Sequence, residues 1–293
     1  MSSVVEHLHS YVENHKEEFI QNLFEFLKIK SISAQDSGME ECAHFLKEFM
    51  EKCGIQTKLL SLKGAYPALY GEVLNPSAKK TILIYGHYDV QPEDPIELWD
   101  SDPYAPEIRE GKIFARGATD DKGNLMATLL ALKSLFTTNG SLPINLKFFF
   151  EGEEEIGSPN MKAYMEEYQD LLKADYTILC DRGIHESGRP QIYLGNKGIT
   201  HADITIHGAS RDVHSGQAPL IPNAAWELVW LLNKLKNDQD QILVDDYENE
   251  VVKPSTEDLA LLEKIPFDRK EYAETYGIED VINGKAHKDH VDS

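Results

Sequence analysis

The chain has 293 residues, more than one hydrophobic core ordinarily serves, so two domains are expected. Hydrophobic residues make up 41% and charged residues 27%, a balance that excludes wholesale disorder. A formal net charge of −21 argues against nucleic acid and anionic membrane surfaces as partners.

Taken in order, residues 4–27 read as helix, with Leu8, Tyr11, Val12, Phe19, Leu23 and Leu27 on a 3.6-residue period. The N-terminal stretch has no apolar signal core, and no uncharged apolar run approaches membrane-spanning length. Residues 38–53 form a second helical pattern, with Cys42, Phe45, Leu46, Phe49 and Cys53 on one face and Gly54 placed to end it. Residues 81–85, TILIY, are a short apolar run of β-branched and aromatic type, the pattern of a strand covered on both faces. Residues 124–136 are helical again, 145–150 (NLKFFF) form the next strand, and Ser158–Pro159 is placed to open a helix through Leu172. Residues 176–180, YTILC, give a further strand. This alternation predicts an α/β fold, a mixed and largely parallel sheet flanked by helices, over residues 1–190. Beyond Gln191 the pattern changes. Residues 192–194 and 199–207 read as strands, the second with one wet face, and 222–235 as an amphipathic helix, which suggests a smaller α+β domain over 191–293. Cys42, Cys53 and Cys180 have no CxxC spacing and read as reduced thiols, so a cytoplasmic protein is expected.

The chemistry lies where the strands end. TILIYG leads to His87 and Asp89; NLKFFF leads to Glu151, Glu153, Glu154 and Glu155; YTILC leads to Asp181. Between the first two, ARGATDDKGN carries Asp120 and Asp121 just before a helix. Ligands bind beyond the carboxyl ends of parallel strands, so these residues converge on one edge. Carboxylates gathered so closely would repel or take up protons unless a cation balanced them. One histidine among carboxylates suits zinc, manganese or cobalt, and a carboxylate can bridge two such ions that share a hydrolytic water. The pattern therefore favours a metal-dependent hydrolase.

HYDVQP, ARGATDDKG and EGEEEIGS, in this order and with Asp181 after the next strand, resemble the di-zinc metallopeptidase family that includes carboxypeptidase G, aminoacylase, acetylornithine deacetylase and carnosinase. The wording is closest to the branch of carnosinase and cytosolic nonspecific dipeptidase. The resemblance implies two divalent metal ions, zinc first. His87, Asp120, Glu155 and Asp181 would be ligands, with Asp120 bridging. Asp89 would orient His87, Glu154 would act as general base, and Asp121 and Glu153 would be structural and solvated neighbours, respectively. It also implies that GASRDVHSGQAP belongs to a lid domain that forms a homodimer, with His214 stabilising the oxyanion. The implied reaction is hydrolysis of amide bonds in dipeptides or small peptides through a metal-bridged water.

In the family the chain returns from the lid to the catalytic domain and supplies a late histidine ligand. No segment before Ser293 resembles that return, so a C-terminally truncated member is expected, with exposed apolar sheet edge. A dipeptidase, an N-acyl amino acid deacylase, and an inactive member acting only as a metal-binding or dimerising module all stay open at this point. His185, His201 and His207 match no motif, and His287 and His290 fall in a polar tail.

Overall fold

A computed structural model describes residues 2–183, 192–193, 198–247 and 249–282. It divides into two compact units, Met1–Leu194 and Gly195–Ser293. His185, His287 and His290 lie outside the described residues, as does the Leu194 end of one expected strand.

The first unit opens with α1 (Ser2–Asn14) and α2 (Lys16–Lys28), where the sequence predicts one helix. The break falls at His15, whose amide bonds back to Tyr11 O and Val12 O and whose ring stacks on Tyr11 at 4.0 Å. The apolar stripe keeps its phase across the break, so periodicity alone does not reveal it. Then come α3 (Met39–Lys52), β1 (Gln56–Leu60), β2 (Ala68–Val73) and β3 (Thr81–His87). A small hairpin of β4 (Glu107–Arg109) and β5 (Lys112–Phe114) precedes α4 (Lys122–Asn139). The unit continues through β6 (Asn145–Glu151), α5 (Met161–Glu167), α6 (Gln169–Leu172) and β7 (Tyr176–Leu179). The expected Ser158 cap is displaced. Ser158 takes a positive φ of 49° and its hydroxyl donates to Glu151 Oε1, while Asn160 stands at the N-cap of α5.

The main sheet has the strand order β1-β2-β6-β3-β7. β3 runs parallel to both β6 and β7, and β2 runs antiparallel to β1 and β6, so the sheet is mixed. Side chains alternate across a strand, and β6 feeds two cores accordingly. Phe148 and Phe150 pack with α2, α3 and α4 residues such as Phe26, Leu46 and Leu129. Phe149 points the other way, onto Leu60, Leu83 and Tyr164. All three phenylalanines are fully buried, each burial stabilising by roughly 1.5–3 kcal/mol. At the edge, β7 leaves Tyr176, Ile178 and Leu179 exposed.

The register of β3 on β6 sets His87 opposite Glu151. Since β3, β6 and β7 run the same way, the turns that follow them emerge at one end of the sheet. Gly86 permits a close approach there. A Cβ on it would stand 2.5 Å from Asp121 Oδ2 and from Leu125 Cδ2.

In the second unit, α7 (Ala224–Leu235) is capped by Asn223, which accepts from Ala225 N at 2.9 Å. α8 (Thr256–Leu262) opens on a capping box from Ser255, and α9 (Arg269–Tyr276) on Asp268. The expected strand over 199–207 forms no ladder. Among the described residues of this unit the one β contact is an isolated bridge, Lys236 to Ile242, and an alternating pattern makes a strand only where a partner lies beside it. No helix among the described residues is long and apolar enough to cross a membrane.

Candidate metal centre

His87 ends β3 and is fully buried. Its Nδ1 lies 3.1 Å from Asp89 O and 3.2 Å from Asp89 Oδ1, so the proton of the neutral ring belongs on Nδ1. That leaves Nε2 as the donor atom facing the other acids. Asp120 Oδ1 stands 3.0 Å from Nε2, Asp181 Oδ2 3.8 Å and Glu154 Oε2 4.0 Å. One atom each from His87, Asp120 and Asp181 lie within 4.8 Å of one another, the spacing of a group that can hold an ion.

Asp89 is buried and serves as the anchor of the site. It accepts from Ser33 Oγ at 2.7 Å, from Glu154 N at 3.2 Å and from Glu155 N at 3.0 Å. Those two amides belong to the short 3-10 turn Glu154–Ile156 that follows β6, so Asp89 ties the β3 turn to the β6 turn. Asp121 is also buried; it accepts from His87 N at 3.2 Å and from Asn124 Nδ2 at 2.9 Å, which holds its carboxylate in place. The peptide between Asp120 and Asp121 is cis.

The electrostatics match a cation site. Burial works against a charged His87, yet hydrogen bonds to Asp120 and Asp89 outweigh it and raise its pKa to about 11. Asp120 is lowered, chiefly by its bond to His87. Burial raises Asp121 to about 7, and burial likewise raises Glu154, Glu155 and Asp181. Surroundings that hold a proton on His87 so firmly favour positive charge at that point. With hard oxygen donors and one imidazole, a divalent ion fits the same demand.

Not every predicted residue joins this group. Glu155 stays outside it, its Oε2 accepting from Gln91 Nε2 at 2.9 Å, so a second ligand set is not assembled among the described residues. His214 belongs to the second unit, where its Nδ1 accepts from Gly216 N at 3.1 Å. Glu153 departs from the solvated reading. It is 4% exposed, and its carboxylate accepts from Tyr66 N and Asn160 Nδ2. A run of three glutamates looks solvated in sequence, and nothing local marks the middle of a turn as buried. Ser33, Tyr66 and Asn160 carry no motif signal either, and Gln91, within HYDVQP, is not a residue type that marks a metal site.

Comparisons with known proteins place the chain in a family. A profile of Peptidase family M20/M25/M40 matches residues 83–292. The human Beta-Ala-His dipeptidase is 28% identical over 94% of this chain, which covers 58% of that protein. The Cys-Gly metallodipeptidase of Schizosaccharomyces pombe is 28% identical over 94% of this chain and 62% of its own length. Among solved structures, an M20 family metallo-carboxypeptidase from Sulfolobus solfataricus superposes with a TM-score of 0.81 at 37% identity, covering 94% of this chain and 62% of that one. Human carnosine dipeptidase 1 gives a TM-score of 0.72 at 27% identity, over 98% of this chain and 64% of that chain. The chain thus spans about three fifths of the length of the curated relatives it matches. With the profile covering most of the chain and reaching into both units, the chain belongs to peptidase family M20/M25/M40.

Proposed function

We propose that this chain carries the metal-binding part of a hydrolase that cleaves amide bonds of dipeptides or small peptides. The observation that carries the reading is the convergence of His87, Asp120 and Asp181 at the ends of parallel strands, with Glu154 beside them. The relatives named as dipeptidases support the substrate class. His87 Nε2, Asp120 and Asp181 would hold one divalent ion, and Asp120 with Glu155 a second. Zinc comes first, with manganese and cobalt as alternatives. When bound, such ions polarise the scissile carbonyl and lower the pKa of water.

The chain's own residues would do the rest. Asp89 keeps the proton on His87 Nδ1 and so keeps Nε2 available. Glu154 accepts the proton of the attacking water at its carboxylate and passes it to the leaving amine nitrogen. Burial raises the pKa of that carboxyl, which brings it closer to the range where both transfers are easy. Met1–Leu194 would be the catalytic unit and Gly195–Ser293 part of a lid through which the protein forms a homodimer. His214 would stabilise the developing oxyanion from the second copy. A cytoplasmic location accords with free thiols at Cys42, Cys53 and Cys180.

The test is hydrolysis of a panel of dipeptides and N-acyl amino acids with added zinc or manganese, beside the Glu154→Gln variant. Dipeptide turnover that drops by about 10²–10⁴ in the variant is the expected result. Turnover confined to N-acyl substrates would shift the reading to a deacylase. No turnover from folded protein would refute enzymatic activity for this chain.

A further inference from the structure

We propose that Glu153 is a positioning residue: its buried carboxylate, clasped by Tyr66 and Asn160, fixes the turn that presents Glu154 and Glu155. This rests on the hydrolase reading for its catalytic meaning, though not for its geometry. Glu153 Oε1 accepts from Tyr66 N at 3.1 Å, and Asn160 Nδ2 lies 3.0 Å from each carboxylate oxygen. The Glu153 carbonyl accepts from Ile156 N at 3.2 Å and Ser158 N at 2.8 Å, which closes the turn around the Glu154–Glu155 pair. The amides of that pair point to Asp89 instead. The turn is thus gripped from two sides.

The grip closes into a ring. Asp89 accepts from Ser33 Oγ, Ser33 O accepts from Tyr66 OH at 3.0 Å, and Tyr66 N donates to Glu153. The two partners of the Glu153 carboxylate, a backbone N–H and a side-chain amide, are neutral donors. A glutamine there would set one NH₂ group against that of Asn160, and an unmatched buried polar group is costly. A solvated acid would have none of these constraints. The ring supplies the outer shell that holds donor side chains in place, where loss of one partner typically costs ten- to a hundredfold in metal affinity or activity.

The chemistry suggests a reciprocal swap. Glu153→Gln and Asn160→Asp each create a mismatch, donor on donor or acceptor on acceptor. The double variant Glu153→Gln/Asn160→Asp restores one donor facing one acceptor, with polarity reversed. Three quantities are read on all four proteins: amide hydrogen exchange over residues 152–158, cobalt(II) titration by visible absorption, and kcat against KM for a dipeptide. The proposal expects exchange at Glu154 and Glu155 to quicken about tenfold in the single variants, with exchange in β3 unchanged. It expects kcat and cobalt affinity to fall about tenfold with KM little altered, and the double variant to recover most of each loss. Wild-type exchange in both single variants would overturn it, as would a double variant no better than the sum of the singles. Faster exchange throughout the sheet would also overturn it, since that is a general loss of stability. Should the wild-type protein hydrolyse nothing while the exchange pattern follows the swap, the hydrolase reading fails and the positioning of the turn stands.

Discussion

Asp89 carries more of the site than its place behind His87 suggests. Four groups reach its carboxylate: Ser33 Oγ, the amides of Glu154 and Glu155, and His87 Nδ1. Asp89→Asn keeps the shape but turns an acceptor into a donor facing those donors. Metal affinity is expected to fall about ten- to a hundredfold, measured by competition with a chromogenic chelator; unchanged affinity would deny Asp89 its anchoring role. The thiols make a second prediction at this scale. Burial raises Cys42 and pushes Cys53 up to about 11, so at pH 8 neither has appreciable thiolate. Native protein should resist iodoacetamide at both positions, and guanidinium should expose them to rapid labelling. Fast modification of Cys42 in the native state would contradict its placement in the core.

At the scale of elements, the close approach at Gly86 sets a constraint between β3 and α4. A Cβ there would press on Asp121 and on Leu125 of α4. Gly86→Ala should therefore destabilise by about 1–3 kcal/mol in a denaturant titration, and a neutral effect would mean α4 can shift freely away from β3. Elements whose signals are local were readable from the sequence. β3 and β6 follow from short apolar runs ending in acids, and α3 and α4 from apolar stripes at helical spacing. His87 and Asp181 were readable because parallel strands deliver their turns to one edge, and Asp120 because it stands in a short acidic motif just before α4. What could not be read depended on which partner a side chain or amide finds once folded. The break at His15 leaves the stripe intact, Ser158 exchanges a capping role for a bond to Glu151, and Glu153 is held by Asn160 just beyond its turn and by Tyr66 from far along the chain. The wet-faced pattern over 199–207 lacks a neighbouring strand among the described residues, and pattern alone does not provide one.

For the molecule as a whole, the carboxylates around His87 are the organising feature, since burial raises several of them and a cation would relieve all at once. A ligand that binds only the folded state stabilises it, by about 2.7 kcal/mol at a hundred times its Kd. Zinc or manganese should therefore raise the thermal midpoint and a chelator should reverse the gain. The most direct measurement is calorimetric titration of the protein with zinc, beside His87→Ala and Asp120→Asn. The account predicts saturable binding by the parent chain and its loss or steep weakening in both variants. Equal binding by all three proteins, or none by a folded parent chain, would contradict it.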